Sequence, residues 1–436
     1  MIAANHLSAT EIVQAVKAGT LTVEEIAQAH LARIDLRDGE VHAFAFLDLD
    51  LVMARAKELD AMPVKGPLHG VPVGVKDVIL TKDMPTAHNN ARYAGSRPGI
   101  DAPCVDTLRS AGALIIGKTV TTEFAATNRG GRTRNPVALD CTPGGSSSGS
   151  AAAVADYQAV LGLGTQTGGS TIRPGSFCGV FAWKPTWNII SREGLKMFSA
   201  TCDTLGLYGR SADDLMLLAD VFAIQSETSA EGLSLEGARI GVCRSPAWPE
   251  AEPAGRAAFV KGIEQLTAAG AKLIDLELPA EFGTIRASQH ILSRAEGRSA
   301  FLNEYRAAPD LNDEFKAIVE NRAEHTAAEI RAAYRHADRC RALFDEIAAG
   351  LDVVLTPSVT GEAPVGIETT GNAVFNSLWT LMHAPVVNVP GLIGPNGRPI
   401  GLSLTSREYE DRKVIGYAKL AAELFSGLQV DLAAAA

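Results

Sequence analysis

The chain of 436 residues is 46% hydrophobic and 21% charged, with 41 glycines and 21 prolines spread along it, a globular composition that argues against a collagenous or disordered protein. A formal net charge of −10 opposes general affinity for nucleic acid or an anionic membrane, because either needs a basic face. Six scattered cysteines without C-x-x-C spacing, no basic-then-apolar leader and no run long enough to span a bilayer predict reduced thiols, no metal site and a soluble cytoplasmic protein that engages neither membrane nor nucleic acid.

Two helix starts are legible at the front. Ser8 precedes Glu11, and Thr22 precedes Glu25, each by the three residues of a capping box, and Gly19 separates them. With Ile26, Ala29, His30 and Ile34 at helical spacing, this predicts a helical hairpin over residues 1–36. Strand-like and helical runs then alternate: a strand at 43–47, a helix at 53–62, a strand at 71–75, a helix at 105–111 and a strand at 113–117. A further strand at 160–165 delivers the chain into Gly168-Gly169-Ser170. Later strands are expected at 239–243, 272–276, 353–356, 386–389 and 401–404, with a closing helix at 413–425. The section 286–347, rich in Ala, Arg and Glu, reads as less regular helix that packs across one face of the sheet or shapes an entrance or a partner surface. The alternation predicts an α/β sheet with helices on both faces. No internal repeat interrupts it, the alanine run at 433–436 is the one low-complexity piece, and residues 1–436 read as a single domain.

Serine is a weak nucleophile and needs a base within hydrogen-bond reach. None of the nine histidines has a catalytic or metal-ligand spacing; His69, seven residues before Lys76, reads as a structural donor. Lys76 closes the apolar run Val71-Pro72-Val73-Gly74-Val75, and burial there would disfavour its ammonium form and make it a base. From this segment alone a lysine reaching out of a strand end fits better, and the serine motifs that follow reverse that preference. The run Gly144-Gly145-Ser146-Ser147-Ser148-Gly149-Ser150 leads into Ala151-Ala152-Ala153-Val154-Ala155, a strong helix former, so it reads as an active-site loop rather than a linker. Two serine motifs and a desolvated amine indicate acyl transfer without metal or organic cofactor.

Two other patterns are weaker. Residues 112–119 satisfy the letter of G-x-x-x-x-G-K-[ST], but the four middle residues are an apolar run that itself reads as a strand, so no phosphate cradle is expected. Gly145-Ser146-Ser147-Ser148-Gly149 fits a nucleophile elbow with Ser147 as nucleophile and Asp352 and His383 as partners, yet no strand directly precedes it.

The segment Thr142 to Ala155, Leu163-Gly164-Thr165-Gln166-Thr167-Gly168-Gly169-Ser170, Ser176-Phe177-Cys178-Gly179-Val180 and Lys184-Pro185-Thr186 resembles the signature of the amidase signature family. Supporting matches run from Pro67 to Asp77, through Phe375-Asn376-Ser377-Leu378-Trp379-Thr380, to Gly401-Leu402-Ser403-Leu404. The resemblance implies an α/β/α sandwich with a central mixed, twisted sheet, its signature core at 65–210. It implies Ser170 as acylated nucleophile, Ser146 as a proton relay preceded by a cis peptide bond, and Lys76 as base. Thr167, Gly168 and Gly169, with Ser170 itself, would donate to the oxyanion of a small-molecule amide substrate. Two features depart from most members: arginine stands three residues after the nucleophile, at Arg173, and Gln166 replaces an aspartate. Both resemble the malonamidase branch and imply a carboxylate-bearing amide held by Arg173 through bidentate pairing. Pairing of Arg173 with a protein carboxylate is the alternative. The resemblance leaves open a homodimer, and also an amidotransferase-type subunit or scaffold without hydrolase activity of its own. Selectivity is expected from section 286–347 and the loop at 125–134.

Overall fold

The structure, a computed structural model, describes residues 3–64, 66–307 and 311–432, so the alanine run at 433–436 lies outside the described residues. Both N-terminal capping boxes form. Ser8 caps helix α1 (Ala9–Lys17) and Thr22 caps α2 (Val23–Val41), each with its third-residue glutamate reaching back to the cap N–H. The hairpin thus exists as expected, although α2 continues five residues past 36.

Twelve strands among the described residues make one mixed sheet: β1 (Phe44–Leu47), β2 (Pro72–Lys76), β3 (Leu114–Thr119), β4 (Leu161–Gln166), β5 (Phe181–Lys184), β6 (Thr204–Gly209), β7 (Arg239–Val242), β8 (Lys272–Asp275), β9 (Val353–Pro357), β10 (Val386–Ile393), β11 (Pro399–Thr405) and β12 (Leu428–Gln429). The spatial order is β1-β3-β2-β4-β6-β5-β10-β11-β9-β7-β8, with β12 beside β10. β3, β2 and β4 are mutually parallel, as are β8, β7 and β9, whereas β4, β6, β5, β10 and β11 pair antiparallel in turn. Every strand expected from the sequence is present, and β5 and β6, unexpected, join the parallel block to the rest.

The described helices that follow are α3 (Leu49–Asp60), α4 (Pro103–Ser110), α5 (Ser148–Ala155), α6 (Ile172–Cys178), α7 (Ala212–Val221), α8 (Pro253–Ala268), α9 (Ile285–Ala300), α10 (Leu302–Ala307), α11 (Asp313–Val319), α12 (Ala327–Ala348), α13 (Ser377–Leu381) and α14 (Asp411–Phe425). They cover both faces, and the strand residues divide between two cores with the period of two that a pleated strand imposes. Ile115, Trp183, Leu207 and Leu355 join Val105 of α4, Phe259 of α8 and Phe425 of α14 on one face. Leu114, Ala182, Tyr208 and Val354 join Val52 of α3, Leu292 of α9 and Phe344 of α12 on the other. Section 286–347 is more regular than expected. It forms α9 to α12, and Thr326 with Glu329 builds a capping box at the start of the 22-residue α12, as Ser211 with Asp214 does for α7.

Candidate active site

β2 and β4 are adjacent and parallel, with Val75 opposite Leu163, so both deliver their carboxyl ends to one edge of the sheet. Ligands in open α/β sheets bind at such edges, where loops leave parallel strands together. Lys76 is the last residue of β2, and the turn Thr167 to Ser170 follows β4 directly. The Lys76 side chain is fully buried, and its Nζ donates to Ser146 Oγ and to Thr165 Oγ1, each at 2.8 Å. It makes no ion pair with any described carboxylate. Burial therefore pushes its ammonium well below the ordinary lysine range, with the Asp203 carboxylate pulling the other way at longer reach. The amine does not reach out of the strand end to solvent; it points inward.

The serine run is sorted by its hydrogen bonds. Ser147 Oγ donates to the Thr165 carbonyl and accepts the Thr165 N–H, both at 3.2 Å; Ser148 Oγ donates to the Val120 carbonyl, and Ser150 Oγ to that of Leu163. Those three hydroxyls fasten the loop and α5 to strand ends. Ser146, preceded by a cis Gly145–Ser146 peptide bond, turns its hydroxyl to Lys76 instead. Close approach explains the glycines: a Cβ on Gly149 would sit 2.2 Å from the Ala43 carbonyl oxygen and 2.3 Å from the Val120 nitrogen. Ser147 is thus engaged in the scaffold. Its suggested elbow partners are engaged elsewhere: Asp352 accepts the Arg239 N–H at 2.7 Å, while His383 lies 2.8 Å from the Thr201 carbonyl and stacks on Trp187. The elbow reading fails for that reason. Residues 114–119 are a buried strand, β3, as the apolar run implied, and Lys118 donates to the carbonyls of Ile79 and Pro85 rather than facing a loop.

Ser170 comes beside the serine loop, its carbonyl accepting the Ser147 N–H at 3.3 Å. With Thr167, Gly168, Gly169 and Arg173 it lines an open cavity of about 540 Å³. The carbonyls of this turn are held from outside. Gln289 Nε2 of α9 donates to the Thr167 carbonyl at 3.0 Å and Thr380 Oγ1 of α13 to the Gly168 carbonyl at 2.7 Å. Gln166 accepts the N–H groups of Thr171 and Ile172 on Oε1 and donates through Nε2 to Thr380 Oγ1, which an aspartate could not do. The N–H groups of Gly168, Gly169 and Ser170 have no hydrogen-bond acceptor among the described residues. Thr167 Oγ1 donates to Asp203 Oδ1 at 2.5 Å, and Asp203 Oδ2 accepts the N–H groups of Phe198 and Ser199. Burial raises the Asp203 carboxyl to about 6.

Arg173 is buried in α6 and faces carbonyls, not a protein carboxylate. Nη1 donates to the Gly371 carbonyl at 2.6 Å, and Nη2 to the Gly145 carbonyl at 2.6 Å and to Thr370 Oγ1 at 2.9 Å, leaving Nε without a partner. Most of its fork is committed to the loop that carries Ser146, so a free bidentate face, as expected from the sequence, is not present. Burial lowers its guanidinium to about 10. Sequence reasoning missed Thr165, Asp203, Gln289 and the role of Thr380. The signals were slight, a threonine next to Gln166 at a strand end and an acid directly before β6. Among the described residues no cluster of three or more His, Cys, Asp or Glu side chains could hold a metal ion. No described helix is long and apolar enough to cross a membrane.

A model of the amidase family matches residues 25–415. A glutamyl-tRNA(Gln) amidotransferase subunit from Symbiobacterium thermophilum is 32% identical over 467 aligned positions, covering 94% of this chain and 95% of that one. A solved amidase superposes with a TM-score of 0.85 at 27% identity, over 96% of this chain and 100% of the other. The peptide amidase of Stenotrophomonas maltophilia gives 0.79 at 26% identity, over 96% and 97%.

Proposed function

The chain belongs to the amidase family and is an amide hydrolase, and from that premise we propose that it works through an acyl-enzyme on Ser170 with Lys76 as base and Ser146 as relay. The uncharged Lys76 amine takes the Ser146 hydroxyl proton while Ser146 Oγ takes that of Ser170, whose oxygen bonds to the amide carbon. The carbonyl oxygen becomes an oxyanion held by N–H groups of the turn 167–170, each such donor worth about 3 kcal/mol of barrier. Collapse breaks the C–N bond, and the proton returns from Lys76 through Ser146 to the leaving ammonia or amine. Water, deprotonated along the same chain, then cleaves the Ser170 ester and releases the carboxylic acid.

The observation that carries this reading is the 2.8 Å bond from a fully buried, carboxylate-free lysine to Ser146 Oγ. The substrate we favour is a small amide that bears a carboxylate, as in the malonamidase branch. Its support is a cavity wall that carries Arg294, whose guanidinium, unlike that of Arg173, is not committed to backbone carbonyls of the described residues.

A second reading is favoured by the likeness to an amidotransferase component. In it the same triad serves a complex and does little alone. Ammonia release by the purified chain, sized by gel filtration, from a panel of small amides separates the two. Turnover by the isolated chain that disappears in Ser170→Ala supports the hydrolase; silence of the isolated chain on every amide supports the amidotransferase reading.

A further inference from the structure

One cavity wall beside the Gly168–Ser170 turn is built by α9, from Gln289, His290, Ser293 and Arg294. These residues are spaced as one helical stripe, and Gln289 latches that stripe to the Thr167 carbonyl. Arg294 stands five residues further on, about 7 Å along the helix axis. Its Nε donates to His290 Nε2 at 3.3 Å, so His290 accepts as a neutral imidazole, consistent with burial and the neighbouring Arg294 holding its pKa down. Nη1 and Nη2 make no hydrogen bond or ion pair with any described residue. Four N–H groups in the end-on fork therefore remain available, whereas Arg173 has spent three on Gly371, Gly145 and Thr370. Among the described residues the one acidic side chain on the cavity wall is Glu314, which accepts the Asn128 N–H with Oε2 and acts on Arg294 through space without forming an ion pair with it. Among the described residues the charged side chains lining the cavity are thus two guanidinium groups and one carboxylate, a local positive excess in a chain of net charge −10.

We infer that Arg294 is the specificity-determining residue that reads the substrate's anionic end, selecting the monoamide of a short dicarboxylic acid. Arg173 is then a positioning residue for the Gly145–Ser146 segment. This rests on the hydrolase reading for the fate of the amide but not for its binding. A planar fork matches a carboxylate bidentately, which a lysine or glutamine cannot reproduce. The geometry also explains why the arginine belongs on α9: the helix is fixed to the oxyanion turn by one hydrogen bond, so the distance from scissile carbonyl to carboxylate is set by the fold.

The test uses the full chain with Ser170→Ala, so that binding is read without turnover, and measures succinamate and its neutral counterpart butyramide by calorimetry. Arg294→Gln in that background should weaken succinamate about 10- to 100-fold, the range for a charged hydrogen bond, and leave butyramide within about 2-fold. Arg294→Lys should restore part of the loss. In the parent with Ser170 intact, Arg294→Gln should raise KM for succinamate more than it lowers kcat. Equal effects on both ligands, or no preference for succinamate in the parent, would overturn the assignment. Charge-selective binding through Arg294 with no ammonia released by the parent would instead uphold the assignment and remove the hydrolase reading.

Discussion

A buried amine 2.8 Å from two hydroxyls and ion-paired with no described carboxylate is disfavoured as an ammonium, because only the Asp203 carboxylate, at longer reach, offsets its desolvation. The Lys76 pKa lies below its ordinary value, and in the proposed mechanism the uncharged form is the base. Hydrolysis therefore should rise with pH through the Lys76 pKa and flatten above it, and Lys76→Ala should cost about 10² to 10⁴ in kcat/KM. Asp203 favours the ammonium. Asp203→Asn should accordingly move the rising limb of the kcat/KM profile to lower pH; a limb that stays in place or moves up would show that Asp203 acts only by holding Thr167. Lys76 was legible in the sequence as the end of an apolar strand. The choice of Ser146 among neighbouring serines came from the family resemblance, since nothing in Ser-Ser-Ser separates one hydroxyl from the next until β4 supplies acceptors for Ser147 and Ser150. Asp203 and Thr380 were not legible as partners of the turn, because only the tertiary fold carries them there.

At the scale of elements, the turn after β4 works as a bracket whose Thr167 and Gly168 carbonyls are pinned by α9 and α13, while the N–H groups of Gly168, Gly169 and Ser170 have no acceptor among the described residues. The two glycines differ in what surrounds them. A Cβ on Gly169 would lie 2.4 Å from Asn376 Oδ1 and 3.0 Å from Ala373 Cβ, whereas on Gly168 its nearest neighbour is Ser377 Oγ at 3.6 Å, an ordinary contact. Gly169→Ala should displace the donors and cost about 10²-fold or more in kcat/KM, and Gly168→Ala less than about 10-fold. Steady-state kinetics on the two variants checks this, and equal losses would contradict the bracket. Most strands were legible from their apolar runs. β5 and β6 were not: β5 is four residues closed by Pro185, and β6 contains Gly206, where a Cβ would meet Thr171 Oγ1 at 2.0 Å. Glycine in a strand reads as a turn in sequence, yet here it marks where α6 packs down on the sheet. The helices of section 286–347 were underestimated although Thr326-x-x-Glu329 signalled the start of α12 as plainly as the two boxes at the front.

At the scale of the molecule, the mixed sheet explains how residues 76, 146 and 170, far apart in sequence, come to one edge of the sheet. Parallel β2 and β4 end at the same edge, and α5 runs back from the loop between them. The sequence conveyed the two-faced α/β sheet because strand and helix periods alternate; it could not convey strand order, which depends on pairings such as β5 with β10 across roughly 200 residues. The most direct test of the central claim is peptide mapping by mass spectrometry after reaction with a fluorophosphonate. The account predicts one adduct on Ser170 in the parent, none in Ser170→Ala, and slow formation in Lys76→Ala. An adduct on Ser146 or Ser147, or ammonia release by a chain that never takes the label on Ser170, would contradict it.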